Sequence, residues 1–330
     1  MIVPKPWTVI RKETLVAQLK LTTAYFGKLQ RYGDFIQFGE SNQDFERFEQ
    51  WMQEGLSLCQ KRFDNDYQKF FDISPDITFF YHEGATLFSG KWRPSRDEIG
   101  RRYPFMVYGK IDETELTTLP VVEQLLLFSP LLRQAGQWLD SALSGAQKDE
   151  ISRSLALFSQ QEFSTMSAAD HYLAFKRTTL IGDFFRAYNE KFGQGFRLNM
   201  LKCFKLNLLN IPQPERQNIG FGFKIPLCQR SIMPEMAVAF FVEMINRIGE
   251  NFIQKLYFFI AENQQEQSVN AYIFFIKPPI QLFLNFLNAS LEIDAIEDVV
   301  NAHLYADSAV LDERQIDIFN SDQLALDSCL

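Results

Sequence analysis

The alternation of short aromatic segments with longer amphipathic ones is the feature that most constrains the fold of this chain. The segments ITFFY (77–81) and PFMVYGKI (104–111) are rich in aromatic and β-branched residues, which is typical of buried strands. Between Asn42 and Phe63, apolar residues recur at helical spacing and predict a helix that docks one face on a sheet. This alternation favours an α/β protein.

The second half of the chain repeats the pattern. The segment FGFKIPL (221–227) predicts a strand, and KLYFFIAE (255–262) with VNAYIFFIK (269–277) predicts a hairpin or two neighbouring strands. FRLNMLKCFKLNLL (196–209) is also interpreted as a strand. Pro234 suits the first turn of a helix that ends at Gly249. The later strands could extend the first sheet or form a second domain, and we expect two domains, residues 1–160 and 161–330.

Composition excludes several classes of protein. Of the 330 residues, 46% are hydrophobic and 33 are phenylalanine, so the chain can bury an aromatic-rich core. A net charge of -8 argues against binding to nucleic acid or to anionic lipid, since both require a basic surface. Charged residues interrupt every apolar run before it reaches the roughly 18 residues of a membrane helix. The first residues also lack the apolar core of a signal peptide, so we expect a cytoplasmic protein.

No known catalytic, metal or cofactor motif is complete in the sequence. Gly84 and the pair Gly90-Lys91 resemble a phosphate-binding loop, but five residues separate them where the motif needs four. Trp92 also stands where the motif needs a magnesium-binding hydroxyl, so a strand and turn are expected there. The three histidines show no paired-ligand spacing. We therefore expect no metal, no cofactor and no enzymatic activity.

Two glycine-bearing motifs carry a specific signal. The first is YFGKLQRYGDF (25–35) and the second is PSRDEIGRRYPF (94–105). Together they resemble the TagF family, also called ImpM or SciT, of accessory proteins of bacterial type VI secretion systems. The resemblance covers about residues 22 to 145. It departs from the family pattern at Gln30, where proline is usual, and at Arg102 and Phe105 in the second motif.

The resemblance implies a fold and a role. The fold is a three-layer α/β/α sandwich in the amino-terminal half, followed by a smaller α+β carboxyl-terminal domain. The role is post-translational repression of secretion-system assembly by a cytoplasmic regulator that binds the forkhead-associated scaffold protein of the same apparatus. Other cytoplasmic or baseplate components are further candidate partners. Two alternatives stay open: a structural or assembly subunit of the baseplate, and an enzyme acting on a phosphorylated or nucleotide substrate.

The matching motif residues suggest a structural clamp between two loops. Gly33 and Gly100 would allow backbone angles that other residues avoid, so that the loops approach each other. Arg101 would then pair with Asp34 or with Asp97 and also reach nearby carbonyls. Arg93, Arg96 and Arg102 form a candidate surface for an acidic partner. The full candidate set for the clamp is Gly27, Gly33, Asp34, Pro94, Ser95, Asp97, Gly100, Arg101, Tyr103 and Pro104.

Overall fold

A single nine-stranded mixed sheet organises the protein, which is represented by a computed structural model. The structure describes residues 21–117, 119–160, 165–228, 232–301 and 311–330. The strand order is β2-β1-β5-β4-β3-β7-β8-β6-β9, and β6 pairs with β9 in parallel while the other pairs are antiparallel. The strands are β1 (Thr22–Gly27), β2 (Ile36–Phe38), β3 (Asp76–Glu83), β4 (Thr86–Arg93), β5 (Phe105–Asp112), β6 (Gly222–Pro226), β7 (Tyr257–Asn263), β8 (Ser268–Phe274) and β9 (Ile296–Asp298).

Helices pack on both faces of this sheet. On one face, residues of α1, α2 and α10 share a buried cluster with the sheet, and on the other face α3 to α9 and α11 do so. The helices are α1 (Gln43–Phe63), α2 (Tyr67–Asp72), α3 (Val121–Leu127), α4 (Ser129–Leu143), α5 (Lys148–Phe158), α6 (Thr165–Thr178), α7 (Ile181–Phe192), α8 (Phe196–Leu209), α9 (Pro234–Ile248), α10 (Leu282–Leu287) and α11 (Glu313–Asn320). The layered arrangement confirms the predicted α/β class.

Strand β3 shows why the sheet is buried on both faces. Its side chains alternate, so that Phe79 and Tyr81 enter one cluster and Phe80 enters the other. All three are fully buried. Both ITFFY and PFMVYGKI therefore form strands as predicted, because a continuous aromatic and β-branched run suits a strand with two apolar faces.

The two halves of the chain share the sheet through one strand pair. Strand β3 of the first half pairs with β7 of the second, with Phe79 opposite Phe259. The later strands thus extend the first sheet, one of the two arrangements that the sequence leaves open. The expected hairpin is confirmed as β7 and β8, and β6 is the strand expected at 221–227. The division into domains 1–160 and 161–330 stays a prediction.

Helix α1 also connects the halves. Asn42 caps it, since its side-chain oxygen accepts from the Phe45 backbone N–H at 2.9 Å. Within the helix, Trp51 Nε1 donates to the Pro278 carbonyl at 3.0 Å. At Gly55, an added Cβ would lie 2.0 Å from the ring of Phe283 on α10. A glycine is therefore needed where the two helices touch.

The segment at 196–209 corrects the sequence interpretation. It forms helix α8, not a strand. Phe196, Met200 and Phe204 recur every four residues and are buried against the same core, which is a helical period. The high density of apolar residues suggests a strand, but the four-residue spacing of Phe196, Met200 and Phe204 indicates a helix. The helix predicted from Pro234 to Gly249 is confirmed as α9.

Candidate functional site

The two sequence motifs meet at one end of the sheet. Strands β1 and β5 are antiparallel, and Gly27 at the end of β1 lies opposite Phe105 at the start of β5. The residues that follow β1, the first motif loop (28–35), therefore lie beside those that precede β5, the second motif loop (94–104). This placement is a direct consequence of the strand register.

The second motif loop is closed by its own backbone. Tyr103 N–H donates to the Ser95 carbonyl at 3.1 Å, and Asp97 N–H donates to the Arg101 carbonyl at 3.1 Å. Gly100 makes the turn at its tip with a φ of +86°, a conformation that favours glycine, and its N–H donates to the Asp97 carbonyl. Gly100 thus has a backbone angle of the kind expected for it, one that other residues avoid.

Asp97 is the centre of the contact between the loops. It is 2% exposed, and its Oδ2 accepts from Lys28 Nζ at 3.0 Å and from Arg101 Nε at 2.6 Å. Its Oδ1 accepts from the Arg101 backbone N–H at 2.8 Å. Burial by itself raises the pKa of the Asp97 carboxyl, but these bonds from Lys28 and Arg101 outweigh it and hold the pKa well below its usual range. The carboxylate is therefore charged and fully engaged.

Arg101 joins the second loop to the first. Its Nη2 donates to the Gly33 carbonyl at 2.5 Å, so the guanidinium spans a carboxylate and a backbone oxygen. Alongside it, Glu98 N–H donates to the Tyr32 carbonyl at 3.1 Å. Of the two carboxylates expected as partners of Arg101, Asp97 is the one that accepts its hydrogen bond. Asp34 is exposed, and its Oδ1 accepts from the Phe35 N–H at 2.8 Å.

Gly33 does not have the backbone conformation expected for it. Its φ lies outside the left-handed region, and the nearest atom to an added Cβ would be Glu98 Oε2 at 3.7 Å. The prediction of a special angle at Gly33 is therefore wrong. What this residue contributes is its carbonyl, which any residue type supplies, as the acceptor for Arg101.

An aromatic cluster covers Lys28. Phe35 is stacked on Phe26 with ring centroids 5.1 Å apart, and its edge contact to Tyr103 has centroids 4.9 Å apart. Lys28 Nζ lies 4.8 Å from the centre of the Phe35 ring, which is a cation–π distance. Phe35 itself is 38% exposed, so it separates the buried ion pair from water while presenting one side to solvent.

Gly27 and Pro104 lie where the strands leave the sheet. Gly27 has a φ of +138°, and an added Cβ would lie 2.2 Å from the Pro104 carbonyl oxygen. No side chain fits between these two backbones. Gly27 is thus the glycine of the first motif that the close approach requires.

The three arginines of the candidate partner surface bind groups within the chain. Arg93 donates to Asp76 through Nε and Nη2 and to Asp140 through Nη1 at 2.6 Å. Arg102 forms a two-pronged pair with Asp72, at 2.8 and 2.7 Å. With the Gln30 amide oriented so that its oxygen faces Arg96, that oxygen accepts from Arg96 Nε at 2.9 Å. Contact with an acidic partner stays a prediction for all three.

Lys28 belongs to the site but is missing from the candidate set. It belongs to the first motif and is only 6% exposed, whereas lysine is seldom buried without a partner. Its position between Gly27 and Leu29, directly after an apolar strand, is the signal that could have identified it. A buried lysine ammonium group needs a negatively charged partner, and the Asp97 carboxylate is that partner.

Clusters typical of a metal site and helices typical of a membrane span are missing from the described part of the chain. Within it, no group of three or more histidine, cysteine or acidic side chains could hold a metal ion. No helix among the described residues combines the length and the apolar character needed to cross a membrane. Gly84 lies in the turn before strand β4 and Gly90 lies within that strand, so the stretch is the strand and turn expected from the failed phosphate-loop spacing.

Part of the chain matches a known protein family, and solved structures similar to the chain exist. Residues 24–156 match the family described as TagF N-terminal domain, Type VI secretion system-associated. Among solved structures, the crystal structure of PA0076 from Pseudomonas aeruginosa PAO1 has a TM-score of 0.49 at 16% sequence identity, covering 82% of this chain and 96% of that one. No curated protein matches the chain. The matched residues contain both motif loops and every side chain of the Asp97 contact.

Proposed function

We propose that this chain, which carries a TagF N-terminal domain, Type VI secretion system-associated, over residues 24–156, is a non-enzymatic cytoplasmic regulator. It represses assembly of a type VI secretion system by binding the forkhead-associated scaffold protein of that apparatus. The observation that carries the proposal is that the residues matching the family include the Asp97 contact, which holds the two motif loops together. The motif residues build a fixed surface from two loops.

The binding surface that we propose is presented by the two motif loops, and we call it the loop-tip surface (Phe35, Glu98 and Ile99). Ile99 is 71% exposed and Phe35 is 38% exposed. The loops that present them are tied together by Arg101 and by the Glu98 N–H, so little conformational entropy is lost when a partner binds. Exposed apolar side chains on loops held by a rigid scaffold are typical of protein-binding sites.

Calorimetric titration of the purified protein against the forkhead-associated scaffold encoded with the same secretion system tests the proposal. We expect binding at about micromolar affinity or tighter, and the same affinity for phosphorylated and unphosphorylated scaffold. An Ile99→Asp variant should lose this binding. The matched control is Leu157→Asp, which places the same charge on a 59% exposed leucine of α5 and should bind normally. Absence of binding in both phosphorylation states would refute the assignment of this partner.

Deletion of the gene separates repression from a structural role. A repressor predicts excess secretion in the deletion strain, and restoration of normal secretion by the wild-type chain but not by Ile99→Asp. Loss of secretion on deletion would instead favour a structural or assembly subunit of the baseplate.

Activity assays on the purified protein test the proposal that it is not an enzyme. Saturable turnover of a phosphorylated or nucleotide substrate by the purified protein, falling in an Asp97→Asn variant, would contradict it. Asp97 suits the comparison because it is the most deeply buried carboxylate of the motif loops.

A further inference from the structure

A cavity of about 540 Å³ lies beside the motif loops, between them and the end of α4. It is distinct from the loop-tip surface, because Phe35, Glu98 and Ile99 do not line it. Its polar lining comes chiefly from Arg31, Tyr32, Asp72, Ser95 and Arg96. The volume is within the range of about 300–1,000 Å³ that is usual for small-molecule sites.

Two arginines in this cavity lack an acidic partner, unlike their neighbours. Among the residues that the structure describes, no carboxylate lies within ion-pair distance of Arg31 or Arg96. The acidic residue in the lining, Asp72, is already engaged by Arg102 in a two-pronged pair. The cavity is thus lined by two exposed arginines without an ion-pair partner among the described residues, on a chain whose net charge is -8.

The Arg96 guanidinium is held by a neutral side chain, and the Arg31 guanidinium lies against a neutral turn. The amide oxygen of Gln30 accepts from Nε of Arg96 at 2.9 Å and from Nη2 at 3.2 Å. Arg31 packs on the turn after α4, where a Cβ on Gly145 would lie 2.3 Å from its Nη2. Gly145 has a φ of +107°, so glycine suits this turn in conformation and also leaves the space that Arg31 occupies. Because the groups described at both sites are neutral, the two positive charges stay available to a ligand.

Ser95 supplies a third polar group to the same cavity. Its side chain is 9% exposed, and its buried Oγ forms no hydrogen bond within the part of the chain that the structure describes. A buried hydroxyl without a partner costs free energy, which a hydrogen bond to a ligand oxygen would recover. Ser95 is held in register because its carbonyl accepts from the Tyr103 N–H.

We propose that this cavity binds a phosphomonoester, with Arg31 and Arg96 contacting the phosphoryl oxygens and Ser95 donating its hydroxyl hydrogen. A phosphoryl group carries a charge of about -1.5 to -2 at neutral pH, which matches two guanidinium groups better than a single carboxylate does. The cavity exceeds the size of a phosphate ion and leaves room for an attached organic group. The proposal does not rest on the regulatory role, since it uses different residues.

Calorimetry with the full chain and three probes tests the site: phenyl phosphate, inorganic phosphate, and a phosphothreonine peptide with its unphosphorylated form. Phenyl phosphate should bind, and Arg31→Gln or Arg96→Gln should each weaken it by at least about tenfold, because each removes a charge-assisted hydrogen bond. Gly145→Ala should also weaken binding, since it displaces the Arg31 guanidinium. Tighter binding of the phosphopeptide than of phenyl phosphate identifies a protein-borne phosphoryl group, and equal affinity identifies a small phosphomonoester.

The matched control is Arg62→Gln, which removes the same charge from an exposed position near the end of α1, outside the cavity lining. It should bind phenyl phosphate like the wild type. Equal weakening by Arg62→Gln would show non-specific attraction and overturn the proposal. Inorganic phosphate binding as tightly as phenyl phosphate, or no binding of any phosphorylated probe by variants and wild type that melt alike, would overturn it as well.

Discussion

The close approach of β1 and β5 at Gly27 leads to a quantitative prediction for Gly27→Ala. The φ of +138° costs a residue other than glycine about 1–3 kcal/mol. The added Cβ would also lie 2.2 Å from the Pro104 carbonyl oxygen and 2.7 Å from Phe105 Cα. Both of these are backbone atoms, so no side-chain rotation can relieve the overlap and the two strands must separate.

Separation of the strands at this point loses hydrogen bonds of the ladder, each contributing about 1 kcal/mol. Together with the backbone strain, we expect Gly27→Ala to lower the free energy of unfolding by about 3–5 kcal/mol. The matched control is Gly100→Ala, at a φ of +86° with no atom within 4 Å of an added Cβ. Gly100→Ala should therefore lower the free energy of unfolding through backbone strain alone, by about 1–2 kcal/mol.

Urea unfolding followed by circular dichroism measures the difference between the two variants. With an m-value of about 3 kcal/mol/M, a difference of about 2 kcal/mol in the free energy of unfolding separates the two urea midpoints by about 0.7 M. Gly27→Ala should have the lower midpoint. Equal midpoints would mean that the overlap with Pro104 is relieved at no cost. A Gly27→Ala variant as stable as the wild type would refute the reasoning altogether.

Three further predictions concern the ion pair, the helix contact and the joined halves. Lys28→Met should destabilise the protein at pH 7 because Asp97 loses a buried partner, and thermal melts should show the difference shrinking below about pH 4. The sign follows from the lowered folded-state pKa of Asp97: stability is present above the unfolded-state pKa and lost as the pH falls. Gly55→Ala should lower the melting temperature, since overpacking against a buried ring of α10, about 1–3 kcal/mol, outweighs a helix-propensity gain of about 1 kcal/mol. A fragment of residues 1–160 should self-associate in size-exclusion chromatography because β3 loses its partner β7, and a monomeric, cooperatively melting fragment would support independent domains.

Much of the fold follows from local patterns in the sequence. The aromatic runs at β3 and β5 have both faces buried, so their strand character is visible without tertiary information. Helix α9 is bounded by Pro234 and Gly249, which act through backbone geometry alone. Helix α8 is different, because its apolar residues extend around much of the helix and obscure the period.

The site is harder to derive because it depends on contacts between distant residues. The motifs identify both loops, but choosing Asp97 over Asp34 as the partner of Arg101 requires the register that places Gly27 opposite Phe105. The burial of Lys28 depends on Phe35, which folds back over it. Arg96 binds the neutral amide of Gln30 and no carboxylate among the described residues, and Gln30 is a position where the sequence departs from the family pattern. Sequence spacing carries none of these distances.

The two edges of the sheet bear on the kind of contact that the proposed partner can make. Among the described residues, the sheet ends at β2 on one side and at β9 on the other, and each strand is three residues long. Such short strands expose few unpaired backbone groups, so they offer little template for an added strand. If the proposed partner binds, we therefore expect substitutions at the motif loops to change its affinity more than substitutions along the sheet margins.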